Sequence, residues 1–259
     1  MGESFFELDG ETYIGLDPAR GPWSPDHCHA GPVAGAIARS VECAFGPDRS
    51  LTRLTVDLIR PVPVAGFTVD VEVTRKGKRL ATGHAVLVGL DGKIAATATA
   101  MLISPAPEAG IPNAPNNPPR LEDAMDKGFP IEMAMHDKPY ITHFMETLFP
   151  PGQDRTPGPT SMWMRVPPLL ATEEPSSFQR ICPLADCGNA ISRNGEITDF
   201  KFLNTDLTIV AHRATEADWL HSEAVSHWHR NGVGLAEARI SDEAGPVATA
   251  LQSLIVAPH

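Results

Sequence analysis

Nowhere in the 259 residues is there a run of 18 or more apolar residues, a Cys-x-x-Cys pair or a large cluster of lysine and arginine. Each lack removes a class of protein. Without a long apolar run, no segment is suited to cross a bilayer as a helix. Met1 to Gly10 carries Glu3, Glu7 and Asp9 where a signal peptide has a basic and then an apolar stretch, so the chain reads as not secreted. Its four cysteines, Cys28, Cys43, Cys182 and Cys187, then read as free thiols of a reducing cytoplasm. A net charge of -11 argues against a nucleic-acid surface, which needs clustered cations to neutralise phosphates. The one basic group, Arg75-Lys76-Gly77-Lys78-Arg79, is too short to reverse that. The short period of a solenoid is missing as well.

What is present is an ordinary globular balance, 42% hydrophobic and 20% charged, in a chain long enough for one large domain or two small ones. The stretch SPAPEAGIPNAPNNPPRLE, residues 104–122, is too rich in proline and asparagine for a ladder or helix, and it marks a linker. The same order of elements stands on each side of it. In the first half AGPVAGAIARSVECAF reads as a helix with Pro32 in its opening turn. Strands follow at 52–59, 67–75, 80–88 and 94–103, with turns at Lys76-Gly77-Lys78 and Leu90-Asp91-Gly92. In the second half CPLADCGNAISR reads as a helix with Pro183 near its start. Strands follow at 199–211, 219–226, 233–240 and 247–256. A leading strand is expected in each half, at 5–14 in the first and at 145–149 or 161–166 in the second. The divisions are 1–104, a linker at 105–138, and 139–259. One long helix and four antiparallel strands, written twice, predict an α+β chain in which two sheets wrap two helices and the halves pair edge to edge.

The halves differ in one informative way. Sliding one onto the other sets Asp186, Asn204 and Gln252 against Pro32, Thr55 and Thr99. Singly, each has a structural explanation: a helix-end carboxylate, an irregular strand, a satisfied polar group. Gln252 resists this most, because it interrupts the apolar run VATALQSLIV, and an unpartnered buried amide costs about 1–3 kcal/mol. As a set confined to one half, they read as a site.

The duplicated order, with LAD at 184–186, NTDLTIVAHR at 204–213 and ATALQSLIV at 248–256, resembles the double hot-dog acyl-CoA thioesterases, the type II family and its thioesterase-like relatives. The resemblance covers nearly the whole chain. It implies a double hot-dog fold, two antiparallel sheets each wrapping a long central helix, and hydrolysis of an acyl-CoA thioester without a metal or cofactor. It further implies a homodimer or higher homo-oligomer. By position, the family's water-holding Asp, Thr or Ser, and Gln fall on Asp186, Asn204 and Gln252, and Asn204 departs from the pattern. Thr208 is a nearby hydroxyl, expected at strand spacing on the face of Asn204. Asp186, taken to stand at a helix N-terminus, accepts the water's proton or attacks directly as a nucleophile. Arg75 and Lys76 are candidates for the CoA phosphates. His29-Ala30-Gly31 resembles the His-Gly-Gly turn of single hot-dog thioesterases, and His29 and Gly31 are assigned to substrate binding. No acid follows at 35–39, and Glu42 lies too far along, so this half is read as scaffold.

Asp26, His27, Cys28 and His29 also invite a metal reading, but no further ligands stand at recognisable spacing. Two rival functions stay open. One is a hot-dog acyl-CoA hydratase or dehydratase using Asp26 and His29; the other is a non-catalytic acyl-CoA-binding module.

Overall fold

The computed structural model of the chain describes residues 4–106, 110–112, 117–131 and 139–259. The described residues include thirteen strands and four α-helices. The first half holds β1 (Phe6–Asp9), β2 (Thr12–Gly15), α1 (Ala30–Phe45), β3 (Ser50–Leu58), β4 (Phe67–Lys76), β5 (Leu80–Gly89) and β6 (Ile94–Ile103). The second holds α2 (Tyr140–His143), β7 (Glu146–Leu148), β8 (Thr160–Arg165), α3 (Ser177–Ala185), α4 (Gly188–Ile191), β9 (Phe200–Asn204), β10 (Asp206–Ala211), β11 (Leu220–Trp228), β12 (Val233–Asp242) and β13 (Gly245–Pro258).

Two sheets paired edge to edge were expected, and the strands run as one continuous sheet across that shared edge. The order runs β1-β2-β4-β5-β6-β3-β10-β13-β12-β11-β8-β7, with β9 on β13. The seam is β3 against β10, antiparallel, from Asp57 opposite Asp206 to Arg53 opposite Val210. Pairing these two edges satisfies backbone groups that either half alone leaves open.

Several elements depart from the sequence reading for identifiable reasons. The expected strand at 5–14 is a hairpin, because Gly10 turns the chain at a φ of 62°. Both alternatives for the leading strand of the second half form, as β7 and β8. The second central helix begins five residues before Cys182, capped by Ser176, so Pro183 lies inside α3. Proline has no N–H for the carbonyl of Gln179 and crowds it. The helix ends within a turn, at Ala185, and resumes only for the four residues of α4. One long central helix is therefore present in the first half and a broken one in the second.

α1, 16 residues, and α3 pack side by side on the inner face of the sheet. Small residues on that face allow the approach: Ala96, Ala98 and Ala100 on β6, and Ala236 and Ala238 on β12, are all buried. Glu42 of α1 ties the helices together. Its carboxylate accepts from Ser176 Oγ at 2.8 and 2.9 Å and from Gln179 Nε2 at 2.7 Å. Burial pushes the Glu42 carboxyl up, and the hydrogen bonds from Gln179 and Ser176 offset this in part. A carboxyl raised in the folded state binds its proton more tightly there than when unfolded. Its stabilising contribution is thus present below the unfolded value and is lost as pH rises through the folded one. Glu42→Gln keeps the acceptor and removes the charge. Thermal melts are expected to show a Tm advantage of the variant over the wild type that widens from pH 4 to pH 8; a constant gap counts against the charge argument.

Candidate active site

The site is built where the start of α1 meets the break between α3 and α4. His29 caps α1 with extended backbone (φ -69°, ψ 139°), and Asp186 caps the C-terminal end of α3. This corrects the sequence reading, which had Asp186 at a helix N-terminus; the break forced by Pro183 puts it at the other end.

Asp186 is 4% exposed. Its Oδ1 accepts from Asn204 Nδ2 at 2.8 Å and from Gln252 Nε2 at 3.0 Å. Its Oδ2 lies 3.0 Å from His29 Nδ1. Gln252, 1% exposed, also donates from Nε2 to the Asp186 carbonyl at 3.1 Å and accepts the Asn189 N–H on Oε1 at 3.0 Å. Its buried amide is therefore satisfied at both ends. The trio drawn from three separate stretches of sequence shares one neighbourhood, and the first half, read as scaffold, supplies the fourth member.

Two glycines make the approach. A Cβ on Gly31 would stand 2.7 Å from the carbonyl oxygen and 2.9 Å from the Cα of Pro183. One on Gly188 would stand 3.2 Å from Gln252 Oε1. Tyr140, in α2, completes the surround: its hydroxyl donates to the Pro183 carbonyl at 3.2 Å, and its ring meets that of His29 edge-on with centroids 5.1 Å apart. Burial, with Cys187 and Asp186 nearby, holds the Tyr140 hydroxyl well above its ordinary value, so it stays a neutral donor.

The group faces a cleft of about 60 Å³. Its polar lining is His29, Asp186, Asn189 and Asn204; its apolar lining includes Trp23, Ile131, Ile141, Phe202 and Leu203. That is room for a few water molecules and not for an acyl tail. Asn189 and Tyr140 were passed over in the sequence. Neither sits in a pattern that distinguishes it, though the chain's having only two tyrosines was a signal of a kind.

Other sequence candidates lie elsewhere. Thr208 does not share the face of Asn204. Asn204 pairs with Leu254 but Thr208 pairs with Leu251, four residues against three. The extra residue at Thr205 flips the alternation. Asn204 consequently faces inward with buried Leu254, while Thr208 faces outward and donates to Thr55 Oγ1 at 3.1 Å. Arg75 and Lys76 are exposed at the tip of β4 and line no part of the cleft. The turn that follows them receives Arg49 Nη2 on the Gly77 carbonyl at 2.7 Å, at the C-terminal end of α1. Sixteen helical residues, about 24 Å, separate that end from His29. Asp26 is exposed, and the contacts of its backbone run to Ser24 and Val64, away from Asp186. Burial pushes the Cys28 thiol up to about 12 and those of Cys182 and Cys187 well above their ordinary value, which leaves none of the three as a ready thiolate.

A helix-backed antiparallel sheet, written twice in one chain with a buried carboxylate at the meeting of the two helices, is a hot-dog protein. The chain belongs to the acyl-CoA thioesterase family: residues 19–103 match its N-terminal domain and residues 115–256 its C-terminal domain. It is a thioester hydrolase by that membership. The fold is similar to that of the TesB protein of Mycobacterium avium subspecies paratuberculosis, at 15% identity over 98% of this chain and 96% of that one, with a TM-score of 0.71. Acyl-CoA thioesterase II TesB2 of Mycobacterium marinum matches at 16% identity over 98% and 95%, with a TM-score of 0.64. A conserved hot-dog protein of Alicyclobacillus acidocaldarius matches at 17% over 97% and 95%, with a TM-score of 0.70. No curated protein matches the sequence. No helix among the described residues is long and apolar enough to cross a membrane.

Proposed function

We propose that the chain hydrolyses an acyl-CoA thioester to the free acid and CoA with a water activated at Asp186. The observation that carries this is the convergence of Asn204, Gln252 and His29 on one buried carboxylate at the wall of a water-sized cleft. Asn204, where the family has a hydroxyl, contributes an N–H to that carboxylate and so holds it aimed. The thioester carbonyl would lie against this wall, with the acyl group displacing side chains at the mouth, where Trp23 is 50% exposed. Arg75 and Lys76 have no part in this reading, since reaching them requires the nucleotide to span the length of α1.

The reading extends to the arrangement of the chain: two halves, 1–104 and 139–259, around a linker at 105–138, of which 107–109, 113–116 and 132–138 lie outside the described residues. It also includes self-association through the outer face of the sheet. There Leu203, Ile255 and Val233 stand in one row across β9, β13 and β12, exposed by 48, 53 and 60%. The same reading puts the enzyme in the cytoplasm, where its four free thiols stay reduced.

Incubating the protein with straight-chain acyl-CoA esters of two to sixteen carbons, benzoyl-CoA and crotonyl-CoA, and following free thiol, tests the proposal. Thiol release from at least one ester well above the rate without protein is the expected result. Binding of esters with no release favours the non-catalytic module, and hydration of crotonyl-CoA without release favours the hydratase.

A further inference from the structure

Resting on the hydrolase reading above, we propose that His29 is the group that takes the water's proton, with Asp186 as its orienting partner, so that the reacting pair is drawn from both halves of the chain.

Two amide N–H groups already occupy Asp186 Oδ1, and His29 Nδ1 stands at 3.0 Å from Oδ2. Both oxygens of the carboxylate are therefore engaged by protein groups. His29 is in the opposite condition. Its Nδ1 is engaged, but its Nε2 has no hydrogen-bond partner among the described residues, and the ring lines the cleft at 12% exposure. Nδ1 also lies 3.2 Å from the Gly31 backbone N, as though accepting a cap hydrogen bond. Both contacts cannot use a bare nitrogen. A lone pair facing an ionised oxygen at 3.0 Å is repulsive, so the proton belongs on Nδ1, donated to Oδ2. That choice leaves Nε2 as a free acceptor on a ring that lines the cleft.

The ring is held in this orientation. Asp186 fixes one edge, and the Tyr140 ring meets it at 70° while the Tyr140 hydroxyl is anchored to Pro183, beside Asp186. A base whose far side is fixed by a third group is the arrangement that nucleophile activation requires. The ionisable groups around His29 are Asp186, from the helix break, and Tyr140, from α2, with Cys187 behind Tyr140.

The chemistry then balances within the site. Nε2 takes a proton from water as the water oxygen's lone pair forms a bond to the thioester carbon. The carbonyl π pair moves onto its oxygen. On collapse that pair re-forms C=O, the C–S bond breaks with its electrons leaving on sulfur, and the proton on Nε2 passes to the thiolate. The acid product ionises into solvent, and His29 returns to its starting state.

His29→Asn separates proton transfer from positioning. The asparagine amide sets an N–H where Nδ1 was, able to donate to Asp186 Oδ2, and carries no ring nitrogen beyond it. Asparagine is also among the preferred N-caps, so α1 keeps its start. Only the Nε2 function is removed. Thiol release by the full chain would be measured against acetyl-, hexanoyl- and decanoyl-CoA from pH 5 to 9, with a thermal melt of each protein. In the wild type, kcat/KM is expected to fall on the acid side. In His29→Asn, kcat is expected to drop about 10²–10⁴-fold with KM changed little, and that acid limb to disappear. A variant that retains wild-type kcat and the same pH profile overturns the proposal and leaves His29 a positioning residue in an intact hydrolase. A wild type without an acid limb overturns it with no variant needed. A wild type that releases no thiol from any ester overturns the hydrolase reading and this proposal with it.

Discussion

Asp186→Asn is expected to lower thiol release from acyl-CoA by about 10³–10⁴-fold while the protein still folds. The new side chain has nearly the same shape, and its oxygen can still accept from Asn204 Nδ2 and Gln252 Nε2, the two donors now on Oδ1. Its amide, however, presents an N–H to His29 where Oδ2 presented a lone pair. The imidazole then accepts at Nδ1 and carries its proton on Nε2, the wrong tautomer for taking one from water. Both routes open to the site, a carboxylate base and an Asp-held histidine base, are lost at once. Fold retention is expected because the three-donor cluster at this buried position becomes a neutral one with every partner still paired, and the uncompensated charge left by removing a donor is avoided. The measurement is steady-state thiol release beside a thermal melt. Wild-type turnover in a folded variant would show that the carboxylate takes no part.

Gly31→Ala is expected to damage both stability and activity through a single methyl group. The added carbon would be 2.7 Å from the Pro183 carbonyl oxygen, 2.9 Å from its Cα and 3.1 Å from Asp186 Cβ. Two of these are backbone atoms of the broken helix and cannot rotate aside. The start of α1 must move away from α3, at about 1–3 kcal/mol for an overpacked contact. At this chain length that is a drop in Tm of roughly 2–12 °C. The same displacement lengthens the 3.0 Å contact between His29 and Asp186, and misplacement by about 1 Å can lower a rate about 100-fold. Gly35→Ala is the control, one turn further along the same face. There the nearest atom is the flexible end of Leu169, at 3.1 Å, and Cys182 Cβ follows at 3.8 Å. A melt and a kcat measurement on both variants are expected to show a large loss for the first and a small one for the second. Equal effects would mean that the close approach at Gly31 has no special role.

Much of this molecule was legible before any coordinates. The apolar run at 94–103, set off by the turn at Leu90-Asp91-Gly92, begins and ends where β6 does. Gln252 declared itself because an amide in VATALQSLIV has no reason to be there unless something nearby needs its hydrogen bonds, and three of them are made. Asp186 and Asn204 followed from comparing one half with the other. The errors also share a cause. Thr208 was assigned a face by counting in twos from Asn204, and the count fails at a single extra residue that only pairing with β13 reveals. The second helix begins earlier than its sequence suggests, because Pro183 stands inside it and does not open it. The place of Pro183, inside α3, needs the capping serine at 176 to be seen bonded to the Gln179 N–H at 3.2 Å.

By itself, then, the sequence determined the duplicated order of elements, the α+β class, and which half holds the carboxylate and its two amides. Those follow from periodicity and composition, which act between near neighbours and are written in order along the chain. Only the tertiary structure decided that β3 and β10 form the seam between the halves, that Asp186 ends a helix where it had been expected to begin one, and that His29 reaches it from the other half. The last of these depends on how closely two helices approach. That distance is set by the missing side chain of Gly31 against the backbone of Pro183, a relation between positions far apart in sequence that no local pattern records.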